Sequence, residues 1–235
     1  MASESIPQNQ DINQTPFVIA VDGANASGKG TISKKIAEHF GFAHLDTGLL
    51  YRAIGYRMEK EGLNYNNLHD VLRAAEEPLT EEELANFELK GEIYGQLASI
   101  IGIHKELREI LDKYQYNFPN GKRGAVVDGR DIGTFIFPNA DAKLFVTASL
   151  EERAKRRFKE LQSQGKSSIY DQVLEDIKSR QERDSTREVN PCVRADDAFL
   201  LDTSSLSSLE ACNLAIQYIN NKINNKLNKT YGKTE

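Results

Sequence analysis

Residues 23–31 read Gly-Ala-Asn-Ala-Ser-Gly-Lys-Gly-Thr, and glycines spaced around a single lysine suit one chemistry above others, the cradling of phosphate. Glycine lets consecutive backbone N–H groups turn inward on an anion, and a helix starting there aims its positive dipole end at the same point. Lys29 adds a mobile cation for the outermost phosphates. The flanks agree: the β-branched run Phe17–Val21 reads as a buried strand, and Ile32, Ile36, Ala37 and Phe40 recur at helical spacing afterwards. A glycine turn of purely structural purpose would not need the lysine and both flanks together. Gly23, Ala24, Asn25, Ala26, Ser27, Gly28, Lys29, Gly30 and Thr31 are therefore the expected grip on a nucleotide. The hydroxyl usually found directly after the lysine arrives one residue late, at Thr31, which leaves a magnesium ligand from the loop open.

Other charged groups suit the same chemistry. Asp128 ends an apolar run, a position from which a carboxylate holds magnesium directly or through water, or merely caps the next turn. Arg130 and Asp131 follow at once, either beside the same cavity or as a surface ion pair worth about 0–1 kcal/mol. Arg153, Lys155, Arg156, Arg157 and Lys159 crowd one helical stretch that also carries Glu151, Glu152 and Glu160. Arg153 and Arg157 are four apart on one face and repel each other unless an anion sits between them. Phosphoryl transfer creates such an anion, and one well-placed arginine is worth on the order of 10³ to 10⁵ in rate, so this stretch is expected to be a lid. Arg180, Arg183, Asp184 and Arg187 share a second helical face, suited to a partner with phosphate, sugar and base.

These groups need a scaffold. Apolar runs at Phe17–Val21, Gly124–Val127, Lys143–Thr147 and Phe199–Leu201, with a weaker one at Ala43–Leu45, alternate with helical patterns, the signature of an α/β fold with a parallel sheet wrapped by helices. Ligands of such sheets bind beyond the carboxyl ends of the strands, where Gly23 to Thr31, Asp46-Thr47-Gly48 and Asp128 to Asp131 all fall. Capping boxes mark helix starts at Thr80 with Glu83, Ser149 with Glu152 and Ser207 with Glu210, and Gly62 and Gly165 fit helix stops. One domain is expected over 16–222, with an insertion beside the core at about 62–118, a lid at about 150–190 and polar tails at 1–15 and 223–235.

A net charge of −5 argues against a general nucleic-acid or membrane-surface binder, and no apolar stretch approaches the roughly 18 residues that span a bilayer. Cys192 and Cys212 are too few for a disulfide framework. A cytoplasmic monomer is the expectation.

With these pieces the chain resembles the bacterial cytidylate kinases of the nucleoside monophosphate kinase group, from about Phe17 to Ile219. The motifs that carry the resemblance are Gly28-Lys29-Gly30-Thr31, Leu45-Asp46-Thr47-Gly48 with Tyr51-Arg52, Asp128-Gly129-Arg130-Asp131-Ile132-Gly133-Thr134 with Phe137-Pro138, and Arg183-Asp184-Ser185-Thr186-Arg187 with Pro191, Ala195, Asp197, Ala198 and Asp202. The chain departs from that pattern at Ala24, where proline is common, at Asn25, and in 62–90, which lacks the alternating strands many members carry. The resemblance implies a P-loop kinase fold: a five-stranded parallel sheet flanked by helices, a helical acceptor-binding insertion and a short lid. It implies ATP on residues 23–31, with magnesium as its companion ion held by Asp128 through water. Arg52 and Arg130 would clamp the phosphate of CMP or dCMP, and Thr47, Ser99, Arg108, Asp131, Arg180, Asp184 and Arg187 would surround its sugar and cytosine. Lys29, Arg130, Arg153, Arg156 and Arg157 are the expected catalytic cations. The alternatives are a kinase of the same group acting on UMP or AMP, and a nucleotide-binding module without catalysis.

Overall fold

The structure is a computed structural model and describes residues 15–231. The apolar runs form β1 (Phe17–Gly23), β2 (Ala43–Asp46), β3 (Gly124–Gly129), β4 (Ala142–Thr147) and β5 (Phe199–Asp202). They make one parallel sheet in the order β2-β3-β1-β4-β5. β3 is buried along its whole length, as a sheet covered on both faces requires. The register sets Asp46 beside Asp128 and Asp128 beside Val21, so the carboxyl ends of β2, β3 and β1 share one rim.

The helices are α1 (Lys29–Phe40), α2 (Thr47–Glu61), α3 (Leu68–Ala74), α4 (Glu81–Ala85), α5 (Glu92–Ile101), α6 (Lys105–Asn117), α7 (Leu150–Ser163), α8 (Tyr170–Thr186) and α9 (Ser208–Tyr231). A 3₁₀ turn spans Phe87–Lys90 and a π-helical turn Ile132–Ile136. On one side of the sheet Ile32, Ile36 and Phe40 of α1 meet Ala211, Ala215 and Ile219 of α9 over Ile19, Val21 and Leu144. Each such buried Ile or Leu stabilises by about 1.5–3 kcal/mol. The insertion has its own core, in which Leu50, Ile54 and Met58 of α2 pack with Val71, Ile101, Leu107 and Leu111. A small apolar seam of Ala154, Leu161, Val173 and Ile177 joins α7 to α8.

Residues 62–118 are helices and turns, without a strand. The capping boxes at Thr80 and at Ser207 have both reciprocal bonds. At Ser149 only the hydroxyl accepts from the Glu152 amide; Glu152 turns instead to Arg156, and the Ser149 N–H donates to Ser204. The C-terminal tail expected from 223 differs: α9 runs on to Tyr231 and Ile223 packs against the core, an apolar contact hidden by the polar residues around it. The expected N-terminal tail, residue 15 apart, and residues 232–235 lie outside the described residues. No helix among the described residues is long and apolar enough to cross a membrane.

Candidate active site

A cleft of about 1010 Å³ opens above the sheet's carboxyl rim, and residues 24–31 form one wall of it. Gly23 leaves β1 at φ +151°, where an added Cβ would lie 2.1 Å from the Val146 carbonyl oxygen, so only glycine lets β1 run this close to β4 into the loop. Gly28 caps α1 at φ +88° with no side chain on the first amides, which leaves those N–H groups for a ligand. An added Cβ on Gly30 would meet nothing within 4 Å, so steric need inside the protein does not explain that glycine.

The Lys29 ammonium bonds the carboxylate of Asp128 at the end of β3. His44 Nε2 of β2 sits 2.6 Å from the other carboxylate oxygen. Asp128 has no exposure. Burial would raise its pKa, yet the Lys29 charge and the His44 contact more than offset that and hold it below the usual carboxylate range. Thr47, at the start of α2, donates to the Asp128 carbonyl at 2.9 Å. An added Cβ on Gly129 would lie 2.6 Å from that hydroxyl, which explains glycine there.

Across the cleft guanidiniums converge. Arg52 of α2 donates to the carbonyls of Leu89 and Gly91, and Arg130 donates to Asp184 Oδ2 at 2.7 Å. Burial works against the Arg130 charge, but Asp184 outweighs it and raises the pKa above the ordinary arginine value. Arg180 of α8 is 7% exposed and, among the described residues, its Nε has no hydrogen-bond partner. Burial and then Arg130 press its guanidinium down to about 9 in spite of Asp184. The backbone of α5 passes so close that an added Cβ on Gly95 would lie 2.9 Å from Arg180 and 3.1 Å from Arg52. Cations this crowded and this dry invite an anion.

Deeper in, the Arg108 guanidinium of α6 pairs with Asp131 over the ring of Tyr51. Arg187 contacts the other Asp131 oxygen at 3.5 Å. Ser99 of α5 donates to Asp184 Oδ1 at 3.0 Å. Thr47, Arg52, Ser99, Arg108, Arg130, Asp131, Arg180, Asp184 and Arg187, which the family resemblance assigns to one acceptor, line one cleft with the phosphate loop.

The lid arginines have different partners. Arg156 and Arg157 line the cleft, with Arg156 on Thr203 and Glu152 and Arg157 on Glu92 and Glu160. Arg153 is 3% exposed and is spent on the carbonyls of Ala148 and Asn25 and on Gln181. Spacing sets Arg153 and Arg157 on one face, where an anion between them would relieve their repulsion; here Arg153 bonds Gln181 and Arg157 bonds Glu92.

A protein-family model described as cytidylate kinase matches residues 19–221. The chain belongs to the cytidylate kinase family. A cytidylate kinase of Paramagnetospirillum magneticum is 45% identical over 87% of this chain and 98% of its own. That of Cereibacter sphaeroides is 47% identical over 86% and 95%, and that of Xanthobacter autotrophicus 45% over 86% and 97%. A gluconokinase from Sinorhizobium meliloti, at 16% identity, superposes with a TM-score of 0.52 over 92% of this chain and 98% of its own, a likeness of fold.

Two residues of this cytidylate kinase family member escape sequence reasoning although they shape its site. Gly95 sits inside an amphipathic helix, where a glycine costs about 1 kcal/mol against alanine and so signals close approach. Asp22, 4% exposed, accepts from the amides of Ile132 and Gly133 directly after Arg130 and Asp131. Its only signal was a carboxylate at the end of an apolar strand.

Proposed function

We propose that this chain transfers the γ-phosphoryl group of ATP to CMP, and to dCMP, giving the nucleoside diphosphate and ADP. The observation that carries this reading is the pair of anion sites in one cleft: the uncapped start of α1 with Lys29, and the crowded guanidiniums of Arg52, Arg130 and Arg180 opposite. A nucleotide-binding module without catalysis has no use for the second.

The acceptor phosphate is itself an anionic nucleophile, so catalysis reduces to holding donor and acceptor in line, neutralising charge and keeping water out. Lys29 leaves Asp128 for the outer phosphates of ATP. Arg52, Arg130 and Arg180 hold the acceptor phosphate, while Thr47, Asp184 and Arg187 attend its sugar. Arg156 and Arg157, already on the cleft, exchange their carboxylate and hydroxyl partners for the phosphoryl group as α7 closes. Arg153, tied to the Asn25 carbonyl, keeps α7 in register with the phosphate loop. Cytosine presents an amino donor beside two acceptors, which fits the carboxylate of Asp131 next to the donors of Arg108 and Ser99. Uracil presents a carbonyl where Asp131 needs a donor.

Magnesium, arriving with ATP, supplies Lewis-acid neutralisation of phosphate oxygens. Thr31, on the cleft wall, and Asp128, through water, would hold it. Among the described residues no group of three His, Cys, Asp or Glu side chains forms a metal cage, which suits an ion that keeps most of its shell in phosphate and water.

The test is ADP release from ATP and magnesium with a panel of nucleoside monophosphates. Release with CMP and dCMP is expected. Release with UMP or AMP alone would move the reading to another acceptor, and release with none would sink it in favour of a binding module.

A further inference from the structure

The β1 strand ends in Asp22, and its carboxylate is built into the site without touching the cleft. Its oxygens accept from two consecutive backbone amides, Ile132 at 2.8 Å and Gly133 at 2.7 Å. Those amides open the π-helical turn Ile132–Ile136, whose first N–H groups have no partner inside the turn. π turns are rare and concentrate at functional sites. Here the turn follows Arg130 and Asp131 immediately, and Asp22 precedes Gly23 immediately, so one side chain joins the donor loop to the acceptor loop.

Among the described residues no cation forms an ion pair with this carboxylate, and the Lys29 charge favours its ionised form without a bond to it. Lys29 on α1 is engaged by Asp128, and the Lys143 stem from β4 passes Gly133 but sends its ammonium to Asp197 at 2.8 Å. The other charged or titratable groups facing it are Asp131 at the end of the β3 loop and the Cys192 thiol ahead of β5, itself pushed up to about 11 by burial. Burial, against the two amide bonds, raises the Asp22 pKa to about 7. An acid held this dry without a cationic partner is costly, and a neutral hydroxyl or amide would satisfy one of the N–H groups more cheaply. Only an ionised carboxylate accepts from both amides without offering a donor of its own.

We propose that Asp22 is a positioning residue for the acceptor side of the site, and that its ionised form is the one that sets Arg130 and Asp131 in place. It acts through the backbone of residues 132–133 and touches no substrate. Protonation replaces one acceptor by a donor facing an N–H, so the loop loosens and CMP is held less well, while the ATP loop, which has its own glycine geometry, is unaffected. The inference rests on the acceptor chemistry proposed above.

The experiment compares the wild type with Asp22→Asn. At pH 8 the variant is expected to lose about tenfold or more in kcat/KM for CMP while its affinity for ATP, measured by calorimetry without acceptor, changes less than about threefold. The ratio of wild-type to variant kcat/KM for CMP should grow about tenfold between pH 6 and pH 8, with the titration of CMP's own phosphate dividing out of the ratio. Equal losses for ATP and CMP would reduce Asp22 to a general structural role, and a ratio independent of pH would remove its ionisation from the site; either result overturns the proposal. If the variant does not fold, NMR of the wild type decides: the Ile132 and Gly133 amides must shift with the midpoint of the Asp22 carboxyl carbon, and amides that stay still overturn it. A wild type inactive on every acceptor would instead defeat the functional reading.

Discussion

The ammonium of Lys29 is bonded to the carboxylate of Asp128, so the cation that opens α1 is held by the end of a strand 99 residues further along the chain. The bond ties the phosphate loop to β3 and stores Lys29 at the cleft edge. In the proposed function Lys29 turns from Asp128 to the triphosphate, and the 2.6 Å contact from His44 is what remains on Asp128 when it does.

Lys29→Met should therefore act twice. Turnover falls by at least about 100-fold, because charge developing on the transferred group loses its mobile cation. Stability falls by about 3 kcal/mol, because Asp128 keeps its buried charge after losing a partner. Adding Asp128→Asn should restore much of the stability and none of the turnover. Thermal unfolding with steady-state assays on the single and double variants checks this, and a single variant of wild-type stability would show that the Lys29–Asp128 bond contributes nothing to the fold.

Gly95→Ala separates site from scaffold. A helical Gly→Ala change normally stabilises by about 0.5–1 kcal/mol. Here the new methyl would press on the tips of the Arg180 and Arg52 side chains, at 2.9 and 3.1 Å. Those tips move easily, so the fold tolerates the change while the guanidiniums are displaced from the place proposed for the acceptor phosphate. The expected result is a KM for CMP raised about tenfold or more, with an unchanged KM for ATP and a Tm equal to or above that of the wild type. A normal KM for CMP would show that the two arginines do not need this geometry.

Such positions mark the boundary of what the chain discloses in one dimension. The strands were readable because each is a short apolar run next to a turn, and the loop motifs because glycine, lysine and their flanks are neighbours in sequence. Asp22 and Gly95 were not readable, since each owes its role to a partner far along the chain, residues 132–133 for the first and Arg180 for the second. The lid arginines show a further limit. Helical spacing correctly puts Arg153 and Arg157 on one helix, but it cannot reveal that Gln181 and Glu92 draw them to different neighbours. The last turns of α9 were hidden by composition, because one half-buried Ile223 among asparagines and lysines gives almost no periodic signal.

Asp112 of α6 offers a pH test away from the reacting groups. It is 5% exposed, accepts from Gln115 Nε2 at 3.1 Å, and burial raises its pKa from 3.8 to about 6 despite the nearby Arg108 charge. The folded state therefore holds this proton more tightly than the unfolded chain. Stability from the group is fully present below pH 4 and is lost as pH rises through about 6. Asp112→Asn keeps the Gln115 bond and removes the penalty, so it should be more stable than the wild type by on the order of 2–3 kcal/mol at pH 8 and no more stable at pH 3.5. Denaturant unfolding at both pH values measures the difference, and a gap that widens toward acid would reverse the sign assigned to the burial of Asp112.

Asp131→Asn addresses the choice of base. In the wild type the carboxylate is held between Arg108 and Arg187 with 5% exposure, an acceptor in a dry pocket. A site that hydrogen-bonds a substrate amino group rejects an analogue presenting a carbonyl there, because two acceptors then face each other without water. An asparagine amide supplies donors to that carbonyl and loosens the hold on Arg108, so CMP suffers and UMP gains. The ratio of kcat/KM for CMP over UMP should fall by about 100-fold, most of it through CMP. A control isolates the effect: the KM for ATP should stay within about twofold. If the variant keeps the wild-type preference for CMP, the discrimination lies in Ser99 or Arg108 and the carboxylate serves only to hold the arginines.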